Sequence, residues 1–471
     1  MAKRKVLKIT PVLITLNVLV LIIIIAFYTT RLIKYYLEEN GPFDEEKEIL
    51  LVDEIKRKQS FLDETKGLVY DEKNNIYRYK GQVEDNYILY SGMLYRIIAI
   101  DNENNIRAVS EENVTLMYPG FDNGYEKSYV NKWLNKSEEE FSGIYEDTLV
   151  DSDDLLVDTY MCNDVINDIS KITCNDLTNS KKITLLSLFD YKEAGGKSSY
   201  LNNGELYYFG SLNENNQEYF VNENGEIALN KKSSKAIYVK PVITFNSETV
   251  LLDGNGKKET PYIVEKHEIN NLKDVYVNSV IKMGNLKYRV IDVKEDKVKL
   301  ALIGVLKENE KDDNLNIAFG GSNSAYSSSN TVGSYLNKTF LDSLELKDSV
   351  ISSDWYNGKL SLTSLDYKNA FKNKTNAKVG MLSLADMFVQ EEKNVFTLLR
   401  GMEANNIINV INKDGNIFGD TISSKYNVRP AFYLNGDLII TKGKGTDEDP
   451  YELGVNDGKK EENEKGETKE E

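Results

Sequence analysis

Two cysteines, one histidine and several acidic loops are the residues of this chain whose chemistry goes beyond packing. Cys162 and Cys174 are its only thiols and stand twelve positions apart. A cysteine attacks only as the thiolate, which needs an electropositive setting and a nearby base. Here Asp154, Asp158, Asp164, Asp168 and Asp176 outweigh Lys171, Lys181 and Lys182, a field that works against thiolate formation. Two thiols are also too few ligands for a zinc site. The expectation is a structural disulfide closing a local loop, a link that contributes on the order of 2–3 kcal/mol. His267 stands alone in a polar segment, without the partners a general base or metal site requires, and reads as a solvated linker residue. The loops Asp101–Asn105, Asp151–Asp154 and Asp253–Gly256 offer hard oxygen ligands, so weak calcium binding is the one cofactor chemistry on view. None follows an EF-hand spacing, and Asn, Asp and Gly in such runs read first as turn residues. No catalytic, cofactor-binding or metal-ligating residue is assigned.

Composition narrows the partners. A net charge of −17 argues against nucleic acid, which requires clustered Lys and Arg against phosphate. The 30 tyrosines would suit stacking on sugars or contacts to proteins, but most fall at alternating strand positions, where Tyr packs well.

The elements that would position these residues begin at the N-terminus. Residues 9–28 are apolar apart from Thr10, Pro11, Thr15 and Asn17, and twenty helical residues span about 30 Å, one hydrocarbon core. Lys3, Arg4, Lys5 and Lys8 precede the run, and Arg31 and Lys34 give way to Glu38 and Glu39 beyond it. This bias predicts a cytoplasmic basic flank (1–8), an uncleaved transmembrane helix (9–28) and everything after it outside the cell. Residues 29–67 read as a juxtamembrane helical stalk, with Asp44, Glu45 and Glu46 early and Lys56, Arg57 and Lys58 late. Its apolar stripe, Leu51, Ile55 and Leu62, suits either a coiled-coil dimer or a helix packed on the first domain.

Beyond the stalk the chain repeats itself. ILYSGMLYRIIAI (88–100) parallels IKMGNLKYRVIDV (281–293), and Trp133-Leu134-Asn135 parallels Tyr335-Leu336-Asn337. ITLLSLFD (183–190) parallels VGMLSLAD (379–386), and Asn224-Gly225 parallels Asp414-Gly415 in hairpin turns. Val239-Lys240-Pro241 parallels Val428-Arg429-Pro430, and each copy closes on Pro-Tyr, at Pro261-Tyr262 and Pro450-Tyr451. The stations predict repeat domain 1 (68–265), a linker (266–271), repeat domain 2 (272–454) and a disordered acidic tail (455–471). Alternating β-branched and aromatic runs with short helices between them predict an α+β class with mainly antiparallel strands, each copy having its own core.

YRYKGQVEDNYILYSGMLYRIIAID (77–101) and the Val-Arg-Pro and Gly-Thr…Pro-Tyr closing of the second copy resemble an uncharacterised bacterial surface family, domain of unknown function 6273. The resemblance makes Tyr95, Arg96, Tyr288, Arg289, Lys240, Pro241, Arg429 and Pro430 the signature positions. The family's Trp is replaced by Tyr95 and Tyr288, and its Arg by Lys240 in the first copy. More remotely, the closing is similar to C-type-lectin-like and sulfatase-modifying-factor domains, which implies their fold but not an activity. Duplication favours two ligand-binding or adhesion-type modules, non-enzymatic, directed at a glycan, cell wall or protein, because two weak sites on one chain gain from effective concentration. The alternatives are an envelope enzyme with one active and one decayed repeat, for which Cys162 and Cys174 are the only candidate constellation, and a structural subunit of an envelope assembly.

Overall fold

Short alternating runs pair into sheets because each buries one face or both. In the computed structural model, the described residues are 29, 48–58, 66–72, 74–117, 120, 124–138, 142–230, 237–308, 314–360, 372–383, 386, 395–401, 405–411 and 417–455. Those from Leu50 onward belong to one compact unit.

The first repeat contains β1 (Gly67–Asp71), β2 (Ile76–Lys80), β3 (Tyr87–Tyr90), β4 (Met93–Ile100), β5 (Ile106–Ser110), β6 (Thr115–Met117) and β7 (Ile183–Leu185). It continues with β8 (Tyr207–Leu212), β9 (Glu218–Val221), β10 (Ile227–Leu229), β11 (Ile237–Val239), β12 (Pro241–Phe245) and β13 (Tyr262–Ile263). Its main sheet runs β13-β3-β4-β5-β12-β7, with the β1-β2 hairpin laid along the second half of β4. A second sheet runs β10-β9-β8-β11-β6.

The second repeat supplies β14 (Val280–Met283), β15 (Leu286–Val293), β16 (Lys297–Leu302), β17 (Asn316–Ala318), β18 (Val350–Ile351), β19 (Ser353–Tyr356), β20 (Lys359–Leu360) and β21 (Lys374–Ala377). After these come β22 (Val379–Met381), β23 (Val395–Gly401), β24 (Ile407–Ile411), β25 (Ile417–Thr421), β26 (Lys425–Asn427), β27 (Pro430–Asn435), β28 (Ile439–Lys442) and β29 (Tyr451–Gly454). Its sheets contain the orders β29-β14-β15-β16-β27-β22 and β25-β24-β23-β26-β17. These are the orders of the first repeat, strand for strand. Even the parallel pairs recur: β13 on β3 and β29 on β14, β11 on β8 and β26 on β23. Among the described residues no strand pairs across from one repeat to the other.

The Pro-Tyr closing explains the parallel pair. The Gly256 and Gly445 carbonyls accept the N–H groups of Tyr87 and Val280, each at 2.8 Å, and so tie the closing turn to the start of β3 or β14. The turn is tight: a Cβ on Gly254 or Gly443 would lie 1.8 or 2.1 Å from the carbonyl oxygen of Pro261 or Pro450.

Two expectations need correction. The α+β class gives way to a mainly β architecture, 38% strand against 15% helix, in which the β-rich, mainly antiparallel domains expected of the two copies are present. The transmembrane helix is also withdrawn from the fold. Among the described residues no helix is long and apolar enough to cross a membrane. The longest continuous helical stretch among the described residues, Thr331–Ser343 with a π-helical middle (Tyr335–Phe340), reaches only about 20 Å. The predicted span 9–28, its basic flank, most of the stalk and residues 456–471 lie outside the described residues. Of the two readings open for the stripe of Leu51 and Ile55, the helix Leu51–Lys58 takes the second and packs on the first repeat. Leu51, Val52 and Ile55 are buried in the core, Leu51 N–H donates to the Thr249 carbonyl at 2.9 Å, and Lys58 Nζ donates to the Asn255 carbonyl at 2.9 Å. Its apolar stripe is satisfied by the first repeat.

Candidate functional site: a stapled loop and a cleft between the repeats

The signature positions do structural work. Tyr95 and Tyr288 are fully buried; Tyr95 Oη lies 2.6 Å from Tyr145 Oη, whereas Tyr288 meets Phe432 edge-on at 5.2 Å. Arg96 is buried between the rings of Tyr87 and Tyr200 and donates to Asn86 Oδ1, Tyr87 Oη and the Val83 carbonyl. Arg289 is more open, donating to Asn278 and reaching toward Asp447. Lys240 and Arg429 both tie the segment before a core strand to a backbone carbonyl, Glu111 at 2.6 Å and Leu302 at 2.7 Å. Burial pulls the Lys240 ammonium below its ordinary pKa, against the opposing charge of Glu205 at 2.8 Å. Pro241 and Pro430 open β12 and β27, where a missing N–H is tolerated. In the Leu-Asn station, Asn135 accepts from Ile183 N–H and donates to the Ile183 carbonyl, and Asn337 does the same with Val379.

Sequence reasoning missed a pair of buried ionic contacts at equivalent places. Asp190, in the LSLFD station, is buried between Arg78 and Arg107, each at 3.3 Å, and caps its own helix through Ser187. Burial pushes its carboxyl up, but Arg107 and Arg78 outweigh this and hold its pKa at about 2. In the second repeat Asp386 takes the same position and pairs with Lys299, which lies over the ring of Trp355. Arg107 and Lys299 occupy equivalent register positions, opposite Thr244 of β12 and Tyr433 of β27. A charge inside an otherwise apolar strand was the available signal.

Cys162 and Cys174 are joined, their Cα atoms 5.2 Å apart. Around them two chain segments form a small antiparallel ladder: Thr159 and Lys181 exchange N–H···O bonds, Asn163 N–H donates to the Asp176 carbonyl, and Thr178 N–H donates to the Met161 carbonyl. Met161 is buried beneath Gly210, where a Cβ would meet its sulfur at 2.0 Å. Alternation therefore sends Tyr160 and Cys162 outward, on the face of Leu177, which lies opposite Cys162. Ile166 anchors the loop to the second sheet, donating to the Leu212 carbonyl at 2.9 Å and accepting from Tyr219 Oη at 2.8 Å. Asp164 organises the far end, accepting from Thr173 Oγ1 and the N–H groups of Asn175 and Asp176. Burial raises its pKa, and these hydrogen bonds, the Asp176 N–H foremost, outweigh that and hold it below the ordinary value. Outside, Tyr160 (51%), Val165 (62%), Ile169 (41%) and Leu177 (52%) are exposed. They are four of the nine large exposed hydrophobic residues among the described residues. Exposed Asp158, Asp168 and Asp176 surround them, with Lys171 already paired to Asp168 at 3.8 Å.

The other acidic loops use their oxygens internally. Asp101 accepts from the N–H groups of Glu103 and Asn105, Asp253 accepts from Gly254 N–H, and Asp153 pairs with Lys182. Among the described residues no group of three or more His, Cys, Asp or Glu is placed to hold a metal. His267 is exposed, its Nε2 2.5 Å from the Asp274 carbonyl and its ring 4.8 Å from that of Tyr276.

The repeats meet where the β3-β4 turn abuts the start of repeat 2. Tyr276 packs on Gly92, beside the Ser91 N–H that donates to Glu265 at the end of repeat 1, and Thr115 Oγ1 donates to the Asp386 carbonyl at 3.1 Å. Beside this junction lies a narrow cleft lined by Met93, Leu94, Ser110, Glu112, Asn113 and Val114 from the first repeat and by Val277, Asn278, Arg289 and Val290 from the second. Ser110 Oγ and Asn113 Oδ1 are buried and have no hydrogen-bond partner among the described residues.

No family model, no curated protein and no solved structure matches the chain.

Proposed function

We propose that this chain is a non-enzymatic binding protein that works outside the cytoplasm, with two homologous β modules of the kind found in bacterial surface proteins. Its principal contact surface is the stapled loop of the first. The observation that carries the reading is the concentration of exposed Val165 and Ile169 on one disulfide-closed loop, and of exposed Tyr160 and Leu177 on the segments flanking it, in a feature that the second repeat lacks. Apolar side chains held on a rigid frame lose little entropy on docking, which is what makes such a surface a contact site. A disulfide favours an oxidising compartment. The acidic surround favours a protein ligand with apolar side chains flanked by basic ones, over a glycan, for which Ile, Val and Leu offer no stacking face. The enzymatic alternative needed a reactive thiol in one repeat, and the two sulfurs are bonded to each other.

The test is an array of envelope proteins, glycans and cell-wall fragments probed with the natural chain and with Val165→Asp/Leu177→Asp. Binding to a protein ligand that the double variant loses, with its melting temperature unchanged, supports the reading. Binding that survives the double variant, or is confined to glycans, overturns it.

A further inference from the structure

We infer that the contact between the repeats is a proton-operated latch, which mild acid tightens and neutral pH loosens, with the Glu265 carboxyl as the group that takes up the proton. It does not involve the stapled loop.

The geometry of that carboxyl carries the inference. Glu265 closes the first repeat and lies between the β3-β4 turn and Tyr276 of the second. Its Oε1 accepts the Ser91 N–H at 2.7 Å, and Ser91 is itself fixed, its Oγ accepting the Val150 N–H at 2.9 Å. The other oxygen, Oε2, is buried and has no hydrogen-bond partner among the described residues. A single backbone donor is little compensation for a buried negative charge, and a protonated carboxyl needs less. At the next residue of the same turn, Gly92, Tyr276 packs so closely that an added Cβ would lie 2.6 Å from its own. The poorly compensated charge therefore lies against the side chain that joins the repeats.

The titratable groups that face Glu265 come from several elements. Tyr90 and Tyr95 approach from β3 and β4, Asp151 from the segment after Val150, His267 from the linker and Tyr276 from the second repeat. Asp151 repels a carboxylate here, and His267 favours one when it is charged. Burial outweighs the Tyr276 and Ser91 contacts and raises the Glu265 pKa above its ordinary 4.5. The folded protein thus holds this proton more tightly than the unfolded chain does. The added stability is fully present below about pH 4.5 and is lost as pH rises through the folded value. Asp190, with its pKa of about 2, keeps its charge throughout that range.

The experiment follows amide hydrogen exchange of the full chain by mass spectrometry at about pH 5 and pH 8, corrected for the intrinsic effect of pH, over residues 88–94 and 275–279. In the natural chain both segments should be more protected in acid, by about tenfold for each unit by which the Glu265 pKa is raised. Glu265→Gln should show the acid level of protection at both pH values, whereas His267→Gln should keep the natural chain's dependence. Melting temperatures should agree: Glu265→Gln should melt about 2–4 °C above the natural chain at the higher pH and level with it at the lower. Equal protection of the natural chain at the two pH values, a dependence that persists in Glu265→Gln, or one that His267→Gln abolishes would overturn the inference.

Discussion

Tyr95 and Tyr288 hold the same place in the two repeats, yet their hydroxyls end differently. Tyr95 Oη shares a hydrogen bond with Tyr145, whereas Tyr288 Oη is buried without a partner among the described residues. Tyr95→Phe should therefore cost about 1–3 kcal/mol, because it strands the Tyr145 hydroxyl, and Tyr288→Phe should be neutral or stabilising. Paired urea melts check this; equal losses at the two sites would refute it. The Asp190 carboxylate gives a second prediction at this scale. Its folded pKa, about 2, lies below the ordinary value of 3.8, so its contribution is fully present above about pH 4 and fades as pH falls through 2. Asp190→Asn should destabilise the protein by about 3–5 kcal/mol at neutral pH, since it leaves Arg78 and Arg107 buried without their counter-charge. The same substitution should flatten the loss of stability between pH 4 and pH 2, which acid titration followed by circular dichroism would record.

At the scale of elements, the stapled loop is held by three separate means: the disulfide, the Asp164 hydrogen bonds and the Ile166 anchor on the second sheet. Cys162→Ser with Cys174→Ser should lower stability by about 2–3 kcal/mol and weaken ligand binding without abolishing it, because the other two restraints remain. Complete loss of the fold would show that the loop nucleates the repeat rather than decorating it. The disulfide was legible in sequence because a lone thiol pair in an acidic field has few other roles. The repeat stations were legible for a related reason. Asn135 and Asn337, the closing glycines, and Pro241 and Pro430 each do something to the backbone that few residue types can do, so both copies kept them in recognisable order. The ionic pairs were not, since the corresponding partners Arg107 of Asp190 and Lys299 of Asp386 lie 83 and 87 residues away on strands and differ in type between the copies. The helix Leu51–Lys58 left two readings open because a narrow apolar stripe is the same whether a second helix or the first repeat covers it.

For the whole molecule, duplication implied two independent beads, and periodicity within each copy was silent about what lies between them. The junction is made by unrelated segments, the β3-β4 turn of one repeat and Tyr276 at the start of the other, so no repeated pattern marks it. Two glycines at corresponding hairpin turns make its contribution measurable. Gly92 (φ +71°) and Gly284 (φ +58°) both adopt backbone angles that L side chains resist, which costs about 1–2 kcal/mol on substitution by alanine. A Cβ on Gly284 meets nothing within 4 Å, but one on Gly92 would lie 2.6 Å from the Cβ of Tyr276. Gly284→Ala should therefore cost that strain alone. Gly92→Ala should cost clearly more, and because it displaces Tyr276 it should also loosen the contact between the repeats, so that calorimetry resolves two unfolding transitions where the natural chain shows fewer. Equal losses for the two substitutions, with an unchanged number of transitions, would mean that Tyr276 yields freely and that its contact with Gly92 does not couple the repeats.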